Sequence, residues 1–164
     1  GNPNQTATAI APLANIEFIP VLTLSLSDLP QRNTHAPINT QEDYVHYKEV
    51  GSLPFQRDFF ERHNLEDTNF QVFLNENMET DSFLRIGDYF GLNTNRSGRS
   101  VKVGKYYLMI HKKKIAIRKL SSIEENLYCF EHPLYRKDAL FLILPDQNSD
   151  ITILGELVWK SCFI

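Results

Sequence analysis

The chain has 164 residues, 42% of them hydrophobic and eleven of them Phe, enough for one folded domain with a real core and too apolar for a disordered segment. Its formal net charge of -3 gives no general attraction to nucleic acid or anionic lipid, so any DNA contact must come mainly from elsewhere. Cys129 and Cys162 are the only cysteines, which excludes a disulfide framework and suits a reducing cytoplasm. No apolar run approaches the roughly 18 residues of a membrane span, and no secretory signal opens the chain. The first residue is Gly1 rather than Met, so the native protein is expected to continue upstream.

Residues 1 to 15 (GNPNQTATAIAPLAN) are small, polar and punctuated by proline, as in a linker or arm. Ile16 to Ser25 carries β-branched and aromatic residues and reads as a strand, which Pro20 confines to a sheet edge or a strand start. Residues 26 to 50 read as a long polar connection with few apolar anchors, so 16–52 forms an N-terminal strand and connection. From Leu53 to His63 the spacing predicts a short helix, with Pro54 in its first turn and Phe55, Phe59 and Phe60 as its apolar stripe. Beyond it the pattern is β. Strands are expected at Phe70 to Leu74, Tyr89 to Leu92, Tyr106 to Ile110, Ile115 to Leu120, Leu127 to Phe130, Leu140 to Leu144 and Ile151 to Trp159, between turns rich in Asn, Ser, Gly and Lys. The domain over 53–164 is therefore mainly β.

Common site chemistries find little support. His35, His46, His63, His111 and His132 have no metal-ligand spacing, and neither a metal nor a cofactor is expected. The run HKKK at 111 to 114 reads as a solvated hairpin turn before it reads as a phosphate contact. Arg96 and Arg99 have no aromatic stacking platform beside them. Gly87, Gly91, Gly98 and Gly104 are too scattered for a phosphate cradle and suit turns or bulges. Trp159 and Phe163 fit either a core or an interface.

Four segments then appear in an order with a meaning of its own. They are LPFQRDFFERHNLEDTNFQVFLNENMET, IGDYFGLN, KYYLMIHKKKIAIRKL, and FEHPLY with ITILGELVW. Together they resemble the LexA-like family, the self-cleaving serine peptidase domains of phage-type repressors, SOS-type repressors and mutagenesis proteins. In that family a Gly-Asp-Ser-Met-Glu-Pro motif, a Gly-Asp turn, a Val-Lys-Arg-Leu motif, an Asn-Pro-x-Tyr turn and an Ile-x-Gly-x-Val-Val-Trp strand follow one another. The matching landmarks here are Met78, Glu79, Gly87, Asp88, Pro133, Tyr135, Gly155 and Trp159. The resemblance implies a LexA- or signal-peptidase-like, β-barrel-like fold of short strands with one short entry helix.

It also implies a missing activity. The family's nucleophile is a serine, and a neutral, buried lysine takes its proton. The serine position here is Asn77, whose amide is no nucleophile, and the lysine position is Arg118, whose guanidinium stays protonated. Lys119 is expected on the opposite face of the strand, and Ser82 lies further along the loop. A buried Arg118 should find an acceptor in Asn77, Glu76, Glu79 or Asp81, or lean toward solvent. The family's Ala-Gly or Cys-Gly scissile bond is absent too, for the internal glycines follow Val50, Ile86, Phe90, Ser97, Val103 and Leu154.

The resemblance thus implies a catalytically inactive regulatory and dimerisation domain of a phage- or prophage-type transcriptional repressor in the bacterial cytoplasm, associated with the nucleoid. DNA would be reached through an N-terminal domain upstream, and an antirepressor or a recombinase filament would be the regulatory partner. Two alternatives stand beside it: an active protease working through Ser82 or Lys119, and a stand-alone protein-interaction module.

Overall fold

Alternating and β-branched residues put most of the described residues into strands. The computed structural model describes residues 15–27, 44–76, 78, 83–95, 100–134, 139–143 and 150–161. Strands β1 (Ile16–Leu26) and β2 (Val45–Gln56) are followed by helix α1 (Arg57–Arg62) and a 3-10 turn (Asp67–Asn69). Then come β3 (Phe70–Leu74), β4 (Tyr89–Asn93), β5 (Tyr106–His111), β6 (Lys114–Glu124), β7 (Leu127–Glu131), β8 (Leu140–Ile143) and β9 (Ile151–Ser161). They form one sheet in the order β2-β1-β3-β4-β9-β5-β6-β7-β8. The chain is mainly β, as expected, with a single short helix before β3 among the described residues. The sheet is open, with β2 and β8 as its edges, and does not close into the expected barrel.

Two local expectations change. Leu53 to Gln56 was to open the helix, but these residues pair with Ile19 to Ile16 of β1, leaving α1 only six residues. Asp58 in its first turn and Arg62 in its last suit the helix dipole. Their ion pair, at 3.6 Å between exposed side chains, adds little. The connection expected over 26 to 50 yields to β2 from Val45 onward, while 28–43 lies outside the described residues. Both prolines obey the rule that a residue without N–H avoids a two-sided ladder. Pro54 stands on edge strand β2, and Pro20 pairs with Ser52 just before the β1–β3 pairing begins at Val21.

Three apolar clusters hold the sheet. Phe73, Phe90, Leu108, Ile110 and Ile117 belong to the first, and Tyr107, Met109, Leu120 and Phe130 to the second. Strand β5 feeds both, with Leu108 and Ile110 on one face and Tyr107 and Met109 on the other, all four fully buried. Such double burial is what a central strand requires. The buried Tyr107 hydroxyl is satisfied by the Lys102 N–H at 2.7 Å. The third cluster joins Ile19, Val21, Phe55, Phe60, Leu65, Phe70 and Val72, so β1, β2 and α1 pack on the same sheet as the later strands.

One titratable pair sits at this end of the sheet. The Glu17 carboxyl is raised from 4.5 chiefly by its hydrogen bond with the Asp67 side chain, then by burial and the Asp67 charge, with Arg57 acting in the opposite sense. A carboxyl that binds its proton more tightly when folded contributes stability below 4.5 and loses that contribution as pH rises through the raised value. Glu17→Gln is expected to remove this part of the pH dependence and leave the domain at least as stable at neutral pH. Thermal unfolding of both proteins at acid and neutral pH measures it. A variant less stable at neutral pH would show that the carboxylate is favourable there.

Candidate functional site

Strand β3 ends at Leu74, and the loop that follows is tied at its foot by buried Asn75 and Asp88. Asn75 Oδ1 accepts the Met78 N–H at 2.8 Å, while its Nδ2 donates to the carbonyls of Met78 and Arg85. The backbone closes the same knot, with Asn75 N–H donating to Asp88 O at 2.9 Å and Gly87 N–H to Asn75 O at 2.7 Å. Asp88 Oδ2 accepts the Arg85 N–H at 2.8 Å. Gly87 has φ +94°, a left-handed conformation that a side chain would strain, which explains a glycine before Asp88.

The far side of the loop is clamped by aromatics and lysines. Phe83 stacks on Tyr106 at 4.8 Å between centroids. Lys160 Nζ donates to the Phe83 carbonyl at 2.8 Å and lies 4.4 Å from the ring centroid. Lys119 Nζ stands 5.9 Å from the Tyr106 ring, on the face opposite that of its neighbour Arg118.

Arg118 lies across from Tyr107 and is partly buried, with Nη1 donating to the carbonyl of Ile117 at 2.9 Å. It lines a groove of about 480 Å³ together with Met78, His111, Lys112, Ile115 and His132. The lining takes Ile115 from one face of β6 and Ala116 and Arg118 from the other, as a groove along a strand edge must. Lys119 lines a separate groove of about 400 Å³ with Gly104, Glu131 and Pro133.

Of the landmark positions, the structure brings Met78 and Arg118 to one groove and Gly87 and Asp88 to the turn beneath the loop. Pro133 belongs to the Lys119 groove. Gly155 lies in β9, where an added Cβ would stand 3.0 Å from the Asn93 carbonyl oxygen, so close strand packing accounts for it. Trp159 is partly buried and packs against the third cluster, 5.1 Å from Phe55. Asn77, Glu79, Asp81, Ser82, Arg96, Gly98, Arg99, Tyr135, Cys162 and Phe163 lie outside the described residues. Glu76 is exposed. Asn75, Phe83 and Lys160 carry no motif in the sequence, and their part in holding the loop emerges only from the fold.

Among the described residues no group of three or more His, Cys, Asp or Glu could hold a metal ion. No helix there is long and apolar enough to cross a membrane. No protein-family model matches the chain, and no curated protein matches it.

Proposed function

We propose that this chain is a catalytically inactive, LexA-like regulatory domain of a phage- or prophage-type transcriptional repressor. In this reading it works in the bacterial cytoplasm, at the nucleoid, and reaches DNA through a domain upstream of it. The observation that carries the reading is that Met78, the residue after Asn77, and Arg118 line one groove along β6, Met78 from the face of Ile115 and Ile117 and Arg118 from the other. A guanidinium at the place of the base holds its protons at any physiological pH, so no serine there could be activated. Lys119 is engaged over Tyr106 and lines a different groove. Regulation then falls to an antirepressor or a recombinase filament acting by binding rather than by triggering cleavage.

The chain is expected to keep its intact mass through prolonged incubation at alkaline pH or with an activated recombinase filament. A defined internal cut that Ser82→Ala or Lys119→Ala abolishes would restore the protease reading.

A repressor of this type dimerises, because two linked reading heads engage two half-sites at high effective concentration. Strand β9 is paired on both sides by β4 and β5, so it offers no edge for strand addition. Among the described residues, edge strand β8 is paired only by β7. Its Phe141 and Ile143 are 59% and 60% exposed, and Ile143 stands across from Leu127 of β7. A second copy covering this patch would bury on the order of 1,200 to 2,000 Å² in total. Light scattering at tens of micromolar should give a dimer, reduced to monomer by Phe141→Glu with Ile143→Glu. A dimer that survives both changes would place the contact elsewhere.

A further inference from the structure

We propose that the groove beside Lys119 binds a small zwitterion, an α-amino acid with a branched apolar side chain, its carboxylate on Lys119 and its ammonium on Glu131. Lys119 and Glu131 stand opposite one another in the β6–β7 ladder, both half-buried, and both line this groove of about 400 Å³. Opposite charges at directly opposed positions of an antiparallel pair have Cβ atoms about 4.5–5.5 Å apart and ordinarily pair with each other. These two do not. The described ion pairs are Arg62 with Asp58 and His111 with Asp150, and among the described residues no hydrogen bond occupies the side chain of Lys119 or Glu131. Lys119 Nζ lies 5.9 Å from the Tyr106 ring centroid, at the outer limit of a cation–π contact, so its N–H groups stay available. A ligand carrying both charges would give each of them the charge-assisted partner it lacks.

The groove is built around a bulge. The β6–β7 register shifts between Leu120 and Ser122, which leaves Ser121 as the extra residue, and its Oγ donates to the Cys129 carbonyl at 3.0 Å. The turn at 103–104 is fastened to β6 by Gly104 N–H donating to Leu120 O at 2.8 Å and Leu120 N–H to Lys105 O at 2.9 Å. Gly104 has φ +89°, and a Cβ there would meet nothing within 4 Å, so open space lies beside it. Past β7, Leu134 N–H donates to His132 Nδ1 at 3.1 Å. Val103 and Leu134 line the groove from these two segments, yet they are 54% and 47% exposed. A ligand side chain seated against them would take apolar surface out of water.

A small molecule fits better than a peptide strand. Lys119 is paired with Tyr106 of β5 and with Glu131 of β7, so β6 has no edge here for strand addition. The groove falls within the size range of small-ligand sites. A simple anion would meet Glu131 as a like charge, and a simple cation would meet Lys119. Neither Asn77 nor Arg118 takes part, so the site stands independently of the repressor reading.

Titrating L-leucine into the isotope-labelled chain should shift the amide resonances of Gly104, Ser121 and Leu134 saturably. The dissociation constant should be on the order of millimolar, as half-exposed charges allow. Leucinamide, which lacks the carboxylate, and N-acetyl-leucine, which lacks the ammonium, should each bind at least about fivefold more weakly. Free glycine, with no side chain to cover Val103 and Leu134, should bind about tenfold more weakly than leucine. Lys119→Gln and Glu131→Gln should each weaken leucine binding at least about fivefold, whereas Lys48→Gln on exposed β2 should not. Val103→Asp stands on an exposed turn and should weaken it too, so the site is readable even if a variant in β6 or β7 fails to fold.

The absence of a localised, saturable shift with leucine overturns the proposal. Equal binding of leucinamide or N-acetyl-leucine overturns it as well, because the groove would then recognise one charge only. Undiminished binding in Lys119→Gln or Glu131→Gln does the same. None of these results bears on self-cleavage.

Discussion

Phe55→Ala is expected to cost about 3–5 kcal/mol of folding stability, as is usual for emptying a buried Phe site. Phe55 is 8% exposed and its ring is the hub of the third cluster. Its centroid lies 5.2 Å from Phe59, 5.2 Å from Phe70 and 5.1 Å from Trp159. These neighbours come from α1, β3 and β9, so the cavity would open where three elements meet and none can close it alone. With urea slopes of about 1–3 kcal/mol per molar, the unfolding midpoint should fall by about 2 M. Phe18→Ala is the control. That side chain is 66% exposed, and its loss should change stability by no more than about 0.5 kcal/mol. Equal midpoints for Phe55→Ala and the parent chain would show that the aromatic cluster does not hold the sheet.

Asn75→Ala should cost about 1–3 kcal/mol and loosen the loop above the groove, because the amide serves as donor and acceptor at once. Removing it leaves the Met78 N–H and the Met78 and Arg85 carbonyls without this partner. Asn75→Asp is the sharper variant. A carboxylate still accepts from Met78 N–H, but it faces two carbonyl oxygens that need a donor. It should therefore be at least as damaging as alanine despite its near-identical shape. Amide exchange reads the effect locally, with protection falling first at Met78 and Gly87. Full protection in Asn75→Asp would mean that the side chain does not order the loop.

The residues that reveal the fold and those that hide it differ for physical reasons. Strands β3 to β9 were legible because each buries at least one face, and runs such as YYLMI at 106 to 110 leave no other solution. Strand β2 was hidden because it lies at the edge. From His46 to Pro54 no side chain is fully buried, so the hydrophobic signal is missing. Phe55, Phe59 and Phe60 read as one helical stripe, and they do share a cluster, but Phe55 reaches it from a strand. Closure could not be read at all, since a barrel would require β2 to pair with β8, and no local pattern encodes that.

At the site, Gly87-Asp88 was legible as a turn because the left-handed φ needs glycine. Asn75 was not, because an asparagine after a strand looks like any turn residue until Arg85, ten positions on, is seen to bond to it. The opposite facing of Arg118 and Lys119 follows from strand alternation alone. That the two line separate grooves does not. It depends on where β7 leaves β6.

The proposed loss of the dyad is tested most directly by rebuilding it. Asn77→Ser and Arg118→Lys, singly and together, would be treated with a fluorophosphonate that labels only activated serines, and the adduct located by mass. Labelling at position 77 is expected in the double variant alone, since a serine without a neutral base is unreactive and a base without a serine has nothing to activate. Labelling of the unchanged chain, or equal labelling of Asn77→Ser with Arg118 in place, would contradict the reading that positions 77 and 118 form a dyad emptied of its chemistry.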